Sequence, residues 1–197
     1  MKILIAGDSF AAKWPRKDTN IGWVEKLAEQ FDVVNVAQAG VGEYKIYKQL
    51  TNIELEKFDL VIVSHTSPSR VHTRNHPLHK EGLHKDCDLI VTDLIGHFQP
   101  FNNNLQISKS WFKYHYDEEY QIDIYELLRE KIKSIINIPY ISMTHVSISA
   151  VLSTEFNNID FSKLWAAERG DVNHYNKKGN DTIVETILQI LEGAKNG

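Results

Sequence analysis

Apolar residues fall in short blocks whose spacing changes character along the chain. Residues 2–6 (Lys-Ile-Leu-Ile-Ala) are apolar on both faces after the first position, the pattern of a strand covered on both sides. A loop through Trp14-Pro15-Arg16 follows. Between residues 21 and 31 the period becomes helical, with Val24, Leu27, Ala28 and Phe31 on one face. Residues 32–37 read as a second strand, Gly40 and Gly42 break it, and a helix is expected over 43–55. Residues 59–64 (Asp-Leu-Val-Ile-Val-Ser) make a third strand. Three strands separated by helices predict an α/β layer on a parallel sheet.

Regularity then lapses. From residue 65 to about 116 the chain is rich in His, Asn, Pro and aromatics, with one apolar patch at 89–95. Structureless loops of such length are uncommon in compact domains, so a partly helical insertion over the site is expected. An amphipathic helix is expected over 117–136, a fourth strand over 139–146, a short helix over 161–168 and a closing helix over 176–191. No repeat, low-complexity tract or linker interrupts the 197 residues, which predicts a single domain over 1–197.

Composition narrows the partners more than the fold. With 42% hydrophobic and 24% charged residues the chain is ordinary for a soluble globular protein. A net charge of −4, with no basic run, sets aside nucleic acid and anionic membranes. Its single cysteine, Cys87, excludes an intramolecular disulfide and fits a reducing compartment. The apolar start is too short for a signal peptide, and no run reaches the roughly 18 residues of a membrane span, so a cytoplasmic location is expected.

In open α/β sheets, sites gather beyond the carboxyl ends of the strands. Ser9, Gly40 and the 65–70 segment all follow strand ends, so they are expected on one rim. Ser9 stands in Gly7-Asp8-Ser9 at the first strand-to-helix turn. Asp171 and His174 sit three residues apart on a loop feeding the last helix, where an acid can orient a base. A serine hydroxyl becomes a good nucleophile only when such a base takes its proton. The N–H groups of Ser9 and Gly40 would form part of an oxyanion hole, Gly40 because a missing side chain permits close approach. Blander readings exist for each: a turn whose Asp8 or Ser9 caps a helix, a helix beginning at Asp171 beside a surface His174, and plain turn glycines.

Together these segments resemble the SGNH (GDSL) hydrolase family of esterases, lipases and carbohydrate deacetylases. Gly7-Asp8-Ser9 is similar to its first block, Asn35-Val36-Ala37-Gln38-Ala39-Gly40 to its second and Asp171-Val172-Asn173-His174 to its last. The resemblance implies a three-layer α/β/α sandwich, flavodoxin-like, with a parallel sheet in the order 2-1-3-4-5. It also implies Ser9 as nucleophile, His174 as base, Asp171 as orienting acid and Gly40 as an oxyanion donor, with no cofactor or metal. The family's third block, Gly-x-Asn, is replaced by His65-Thr66-Ser67-Pro68-Ser69-Arg70. Three explanations stay open: a hydroxyl of Thr66 or Ser67 substitutes, Asn75 reaches in, or the hole is one donor short.

Other side chains are weighed against duller roles. Asp8, His65 and Arg70 are candidates for binding substrate, Arg70 and Arg74 through an anionic part of it. His65, His72, His76, His79 and His84 crowd one stretch, with Cys87 just beyond. His72 and His76 have the i, i+4 spacing that puts two ligands on one helix face, and His79 and Cys87 would complete a zinc site. However, Pro77 argues against a regular helix here and no Cys-x-x-Cys or His-Glu-x-x-His spacing supports a metal, so a solvated, substrate-facing loop is favoured. Trp111, Phe112, Tyr114 and Tyr116 are expected to pack the insertion onto the core rather than stack on a sugar. The expected activity is hydrolysis of a small polar carboxylic ester, such as an O-acetylated sugar, through an acyl-enzyme. An acyltransferase using the same residues, and a ligand-binding member without chemistry, are the alternatives.

Overall fold

The structure is a computed structural model that describes residues 1–13, 21–146, 158–170 and 174–194. Five strands, β1 (Lys2–Gly7), β2 (Asp32–Asn35), β3 (Leu60–His65), β4 (Tyr140–Thr144) and β5 (Asn158–Asp160), form one sheet in the order β2-β1-β3-β4-β5. All four pairings are parallel, with Ile3 opposite both Val33 and Leu60 and Val63 opposite Ser142. This is the flavodoxin-like α/β sandwich. The helices are α1 (Trp23–Ala28), α2 (Glu43–Thr51), α3 (Val91–Ile95), α4 (Asn103–Tyr114), α5 (Glu118–Ile135), α6 (Ser162–Ala167) and α7 (Lys177–Gly193).

Strand side chains alternate between faces, and here both faces are covered. Ile3, Ile5, Leu60, Ile62, Ile141 and Met143 pack with Trp23, Val24 and Leu27 of α1 and Ile183, Val184 and Ile187 of α7. Leu4, Ala6, Val61 and Val63 face the other way, onto Ile46 and Leu50 of α2 and Ile132 and Ile136 near α5. Within the first layer α1 and α7 are joined at depth: buried Asn180 of α7 accepts from the Trp23 backbone N–H at 3.1 Å.

Helix starts follow their sequence signals. Asn102, Asp117 and Asn176 each accept a backbone N–H three residues on and so cap α4, α5 and α7. The first helix is shorter than its periodicity suggests, and the helix expected over 43–55 stops at Thr51, followed by a 3₁₀ turn at Leu55–Lys57. β5, three residues long, carries no legible pattern of its own. The segment between β3 and α5 is partly helical, with α3, α4 and a 3₁₀ turn at Gly82–His84. The loop expected around Trp14-Pro15-Arg16 lies outside the described residues. Among the described residues, no helix is long and apolar enough to cross a membrane.

Candidate active site

β1 ends against β3 so closely that its last residue has to be glycine. A Cβ on Gly7 would lie 2.6 Å from both the Cβ and the carbonyl oxygen of Ser64. Gln49 of α2 clamps the Gly7 backbone, accepting from its N–H at 2.8 Å and donating to its carbonyl at 3.1 Å. The next residues close a turn: Asp8 Oδ1 accepts from Phe10 N–H at 3.0 Å, and the Asp8 carbonyl accepts from Ala11 and Ala12. Asn35 Nδ2 donates to the Ala11 carbonyl and Trp23 Nε1 to the Phe10 carbonyl, both at 2.8 Å. Half-buried Ser9 therefore stands on a turn braced by β2 and α1. Asp8, expected to meet substrate, is 3% exposed and caps this turn. Burial pushes its carboxyl up to about 6, against the pull of the Phe10 N–H and the Arg70 charge.

The loop before α7 arrives beside that turn. Gly170 N–H donates to the His174 carbonyl at 2.6 Å, and Arg169 and Tyr175 form an antiparallel bridge, so the loop is pinched shut at its base. The Phe10 ring then sits 5.2 Å from the His174 ring, centroid to centroid. Ser9's immediate neighbour thus touches the expected base. Asp171, the expected orienting acid, lies outside the described residues.

A second histidine, which the sequence reading missed, stands under the first. His145 follows β4, stacks 4.7 Å from Phe10 and 5.8 Å from Phe161, and shares a 2.9 Å hydrogen bond between Nδ1 and the Tyr175 hydroxyl. Burial holds its ring down to about 3, and the neighbouring His174 and His65 act in the same direction. Neutral at ordinary pH, it serves as packing beneath the rim. The strand-end position is the signal that would have found it.

The end of β3 is buried. His65, 4% exposed, places Nδ1 2.6 Å from Glu43 Oε1 at the first turn of α2, and Thr66 N–H donates to Glu43 Oε2 at 3.4 Å. His65 is thus held as a structural partner of Glu43. Of the third-block candidates, Ser67 is tied to Ser69 by a 2.8 Å hydroxyl pair and Asn75 is exposed, its N–H bound to Thr73 Oγ1. The Thr66 hydroxyl lies beside the Asp8 carboxylate but meets no partner at full hydrogen-bond geometry among the described residues.

Gly40 has φ +76°, in the left-handed region that favours glycine. The close approach it permits is taken by the insertion: a Cβ there would lie 2.7 Å from Cys87 Cβ. Its carbonyl accepts from Asp88 N–H at 2.8 Å and from Arg70 Nη1 at 3.1 Å. Asp88, also missed from sequence, is fully buried and accepts from Gly42 N–H (2.6 Å), Thr73 N–H (2.9 Å) and Lys45 Nζ (2.9 Å), with His72 Nδ1 at 3.2 Å. A lone acid in the apolar 87–90 stretch was its only mark in the sequence. Arg70 lines a cavity of about 200 Å³ together with Glu43, His72, Asp88, Tyr125 and Leu128. Neither Ser9 nor His174 lines it.

The histidine stretch is solvated only in part, with His72 exposed. His76 is 2% exposed and His79 and His84 are half-buried, whereas His72 turns away to Asp88 and to the Tyr44 ring. Burial lowers His76 to about 4 and His84 below its usual range, and lifts the Cys87 thiol to about 11. Trp111, Phe112 and Tyr116 pack on one another, while Tyr114 is 67% exposed.

The fold and this rim define a doubly wound α/β protein with a serine and a histidine at the carboxyl edge of its sheet. No protein-family model and no curated protein matches the chain.

Proposed function

We propose that the chain is a serine esterase of the SGNH type that hydrolyses a small polar ester. The observation that carries this reading is the contact between Phe10 and His174, which puts the turn bearing Ser9 beside the residue best suited to take its proton. Ser9 Oγ attacks the carbonyl carbon as its proton passes to His174. The alcohol leaves with that proton. Water, deprotonated by His174, attacks the acyl-enzyme, the acid departs, and Ser9 Oγ regains its proton. Asp171 orients the imidazole, and the N–H groups of Ser9 and Gly40 with the Thr66 hydroxyl hold the oxyanion. An acyltransferase would run the same steps with an alcohol in place of water. The His- and Asn-rich insertion supports a polar substrate, an O-acetyl group on a sugar being the type, and a cytoplasmic location accords with a single reduced cysteine.

Fluorophosphonate labelling and acetyl-ester turnover of wild type, Ser9→Ala and His174→Ala test the proposal. Labelling and turnover that need both residues support it, and loss of one oxyanion donor in a Thr66→Val chain should cost ~100-fold in kcat. A folded wild type that neither labels nor turns over acetyl esters overturns it in favour of a ligand-binding protein on the same fold.

A further inference from the structure

The insertion carries a second concentration of chemistry that the ester reading does not use. One donor atom from each of His76, His79 and Cys87 lies within 4.8 Å of the others. The His84 ring lies 5.3 Å from that of His79, centroid to centroid. In sequence this is His-x₂-His-x₄-His-x₂-Cys. We infer that His76, His79, His84 and Cys87 form a structural zinc site that clamps the insertion onto the rim of the sheet.

His76 gives the argument its direction. Its Nδ1 accepts from the N–H groups of Leu78 and His79, both at 3.2 Å, which fixes the ring. Its other nitrogen, Nε2, is buried and has no hydrogen-bond partner among the described residues. Buried polar atoms are rarely left so, and an unmodified core would place a donor or an acceptor there. Tetrahedral zinc with nitrogen and sulfur ligands at ~2.0–2.3 Å puts the ligand atoms about 3.5 Å apart, so the cluster needs a contraction of about 1 Å. Loading through Nε2 moves the ring proton to Nδ1 and costs the two long amide contacts, which are weak beside metal–ligand bonds. Asp93 Oδ2 stands 3.9 Å from His79 Nε2, the place of an outer carboxylate that steers a ligating histidine. Imidazole and thiolate together select zinc over magnesium or calcium.

The segment has need of such a clamp. Between the Val71–Leu89 bridge strands its only regular element is the 3₁₀ turn Gly82–His84. Cys87 packs directly on Gly40, so a metal held there would fix the loop that follows β2. Three ligands are clustered, and the neighbouring His84 ring is the group that would take the fourth place and close the site, as in structural rather than catalytic zinc centres. It stands apart from the ester reading, and a Ser9→Ala chain should load as wild type does.

Dialysis of the chelator-stripped full chain against Zn²⁺ should return about one ion per chain, with a rise in Tm. Co²⁺ in its place should give a near-ultraviolet thiolate charge-transfer band and intense tetrahedral visible bands. Cys87→Ala should abolish the charge-transfer band and weaken Zn²⁺ binding ~100-fold or more, beyond the loss from an outer-shell partner. Half-buried His79→Gln, the easier variant to fold, should do the same to affinity. Folded wild type that keeps no stoichiometric zinc overturns the inference. So does uptake indifferent to both substitutions, which would mean adventitious binding at other histidines.

Discussion

Glu43 and His65 hold their side chains 2.6 Å apart with only 3% of either exposed, joining the first turn of α2 to the last residue of β3. The same carboxylate accepts from Thr66 N–H, so α2 sets where β3 ends and where the Thr66 hydroxyl stands. Truncating one member of a buried hydrogen-bonded pair leaves the other without its partner, at a cost of about 1–3 kcal/mol. Urea unfolding of Glu43→Ala should show a loss of that size, and Glu43→Gln, which keeps an acceptor oxygen, a smaller one. Equal stability for Glu43→Ala and wild type would mean the pair holds nothing together.

Asp88 is the anchor by which the insertion grips α2. Asp88→Ala would strip an acceptor from the Gly42 and Thr73 N–H groups and from Lys45 at once, a loss of about 3 kcal/mol or more. Limited proteolysis followed by mass spectrometry should place new cuts between residues 72 and 88 while the sheet stays intact. A cleavage pattern like that of wild type would deny Asp88 its anchoring role.

Acid should destabilise the fold through buried His145. The His145 ring titrates at about 3 in the folded chain against its ordinary 6.5, so between those values the unfolded chain binds a proton that the folded chain does not. Stability from this group is full above about pH 6.5 and lost as pH falls, about 3 kcal/mol by pH 4. Asp8, raised from 3.8 to about 6, works the other way, since there the folded chain binds the proton and gains as pH falls. The His145 shift is the larger of the two, and the net is a loss. Unfolding free energies measured from pH 7 to 4 should fall in wild type and fall less in His145→Phe, which keeps the stack on Phe10. A parallel pair of curves would refute the assignment to His145.

Gly7→Ala should force β1 and β3 apart, because the added Cβ meets both Ser64 Cβ and the Ser64 carbonyl at 2.6 Å. Overpacking against backbone at the centre of a sheet costs about 3 kcal/mol, read as a drop in Tm. Adding Ser64→Gly removes the side-chain clash but not the carbonyl, so rescue should be partial. Full rescue would place the conflict in the side chain alone.

The succession of apolar blocks was enough to locate four of the five strands and the helices packed on them, because burial on both faces of a parallel sheet writes short continuous apolar runs into the chain. The caps at Asp117 and Asn176 were equally local. β5 escaped, since three residues are too few to show a period. The rim position of Ser9 was legible from the strand-end rule, but the partner it meets was not. Phe10 finds His174, Glu43 finds His65 and Gly42 finds Asp88 only after the sheet order has brought them together. His76 shows the limit most plainly. Read along the chain it was one of several candidate ligands, set aside because Pro77 breaks the helix that the i, i+4 pairing with His72 needs, in a stretch taken for a solvated loop. In the fold it is buried against His79 and near Cys87, because the turn at 76–79 and the return at 84–88 close over Gly40. Periodicity is a property of neighbours in sequence, whereas burial and ligation depend on neighbours in space, and those the chain acquires only by folding.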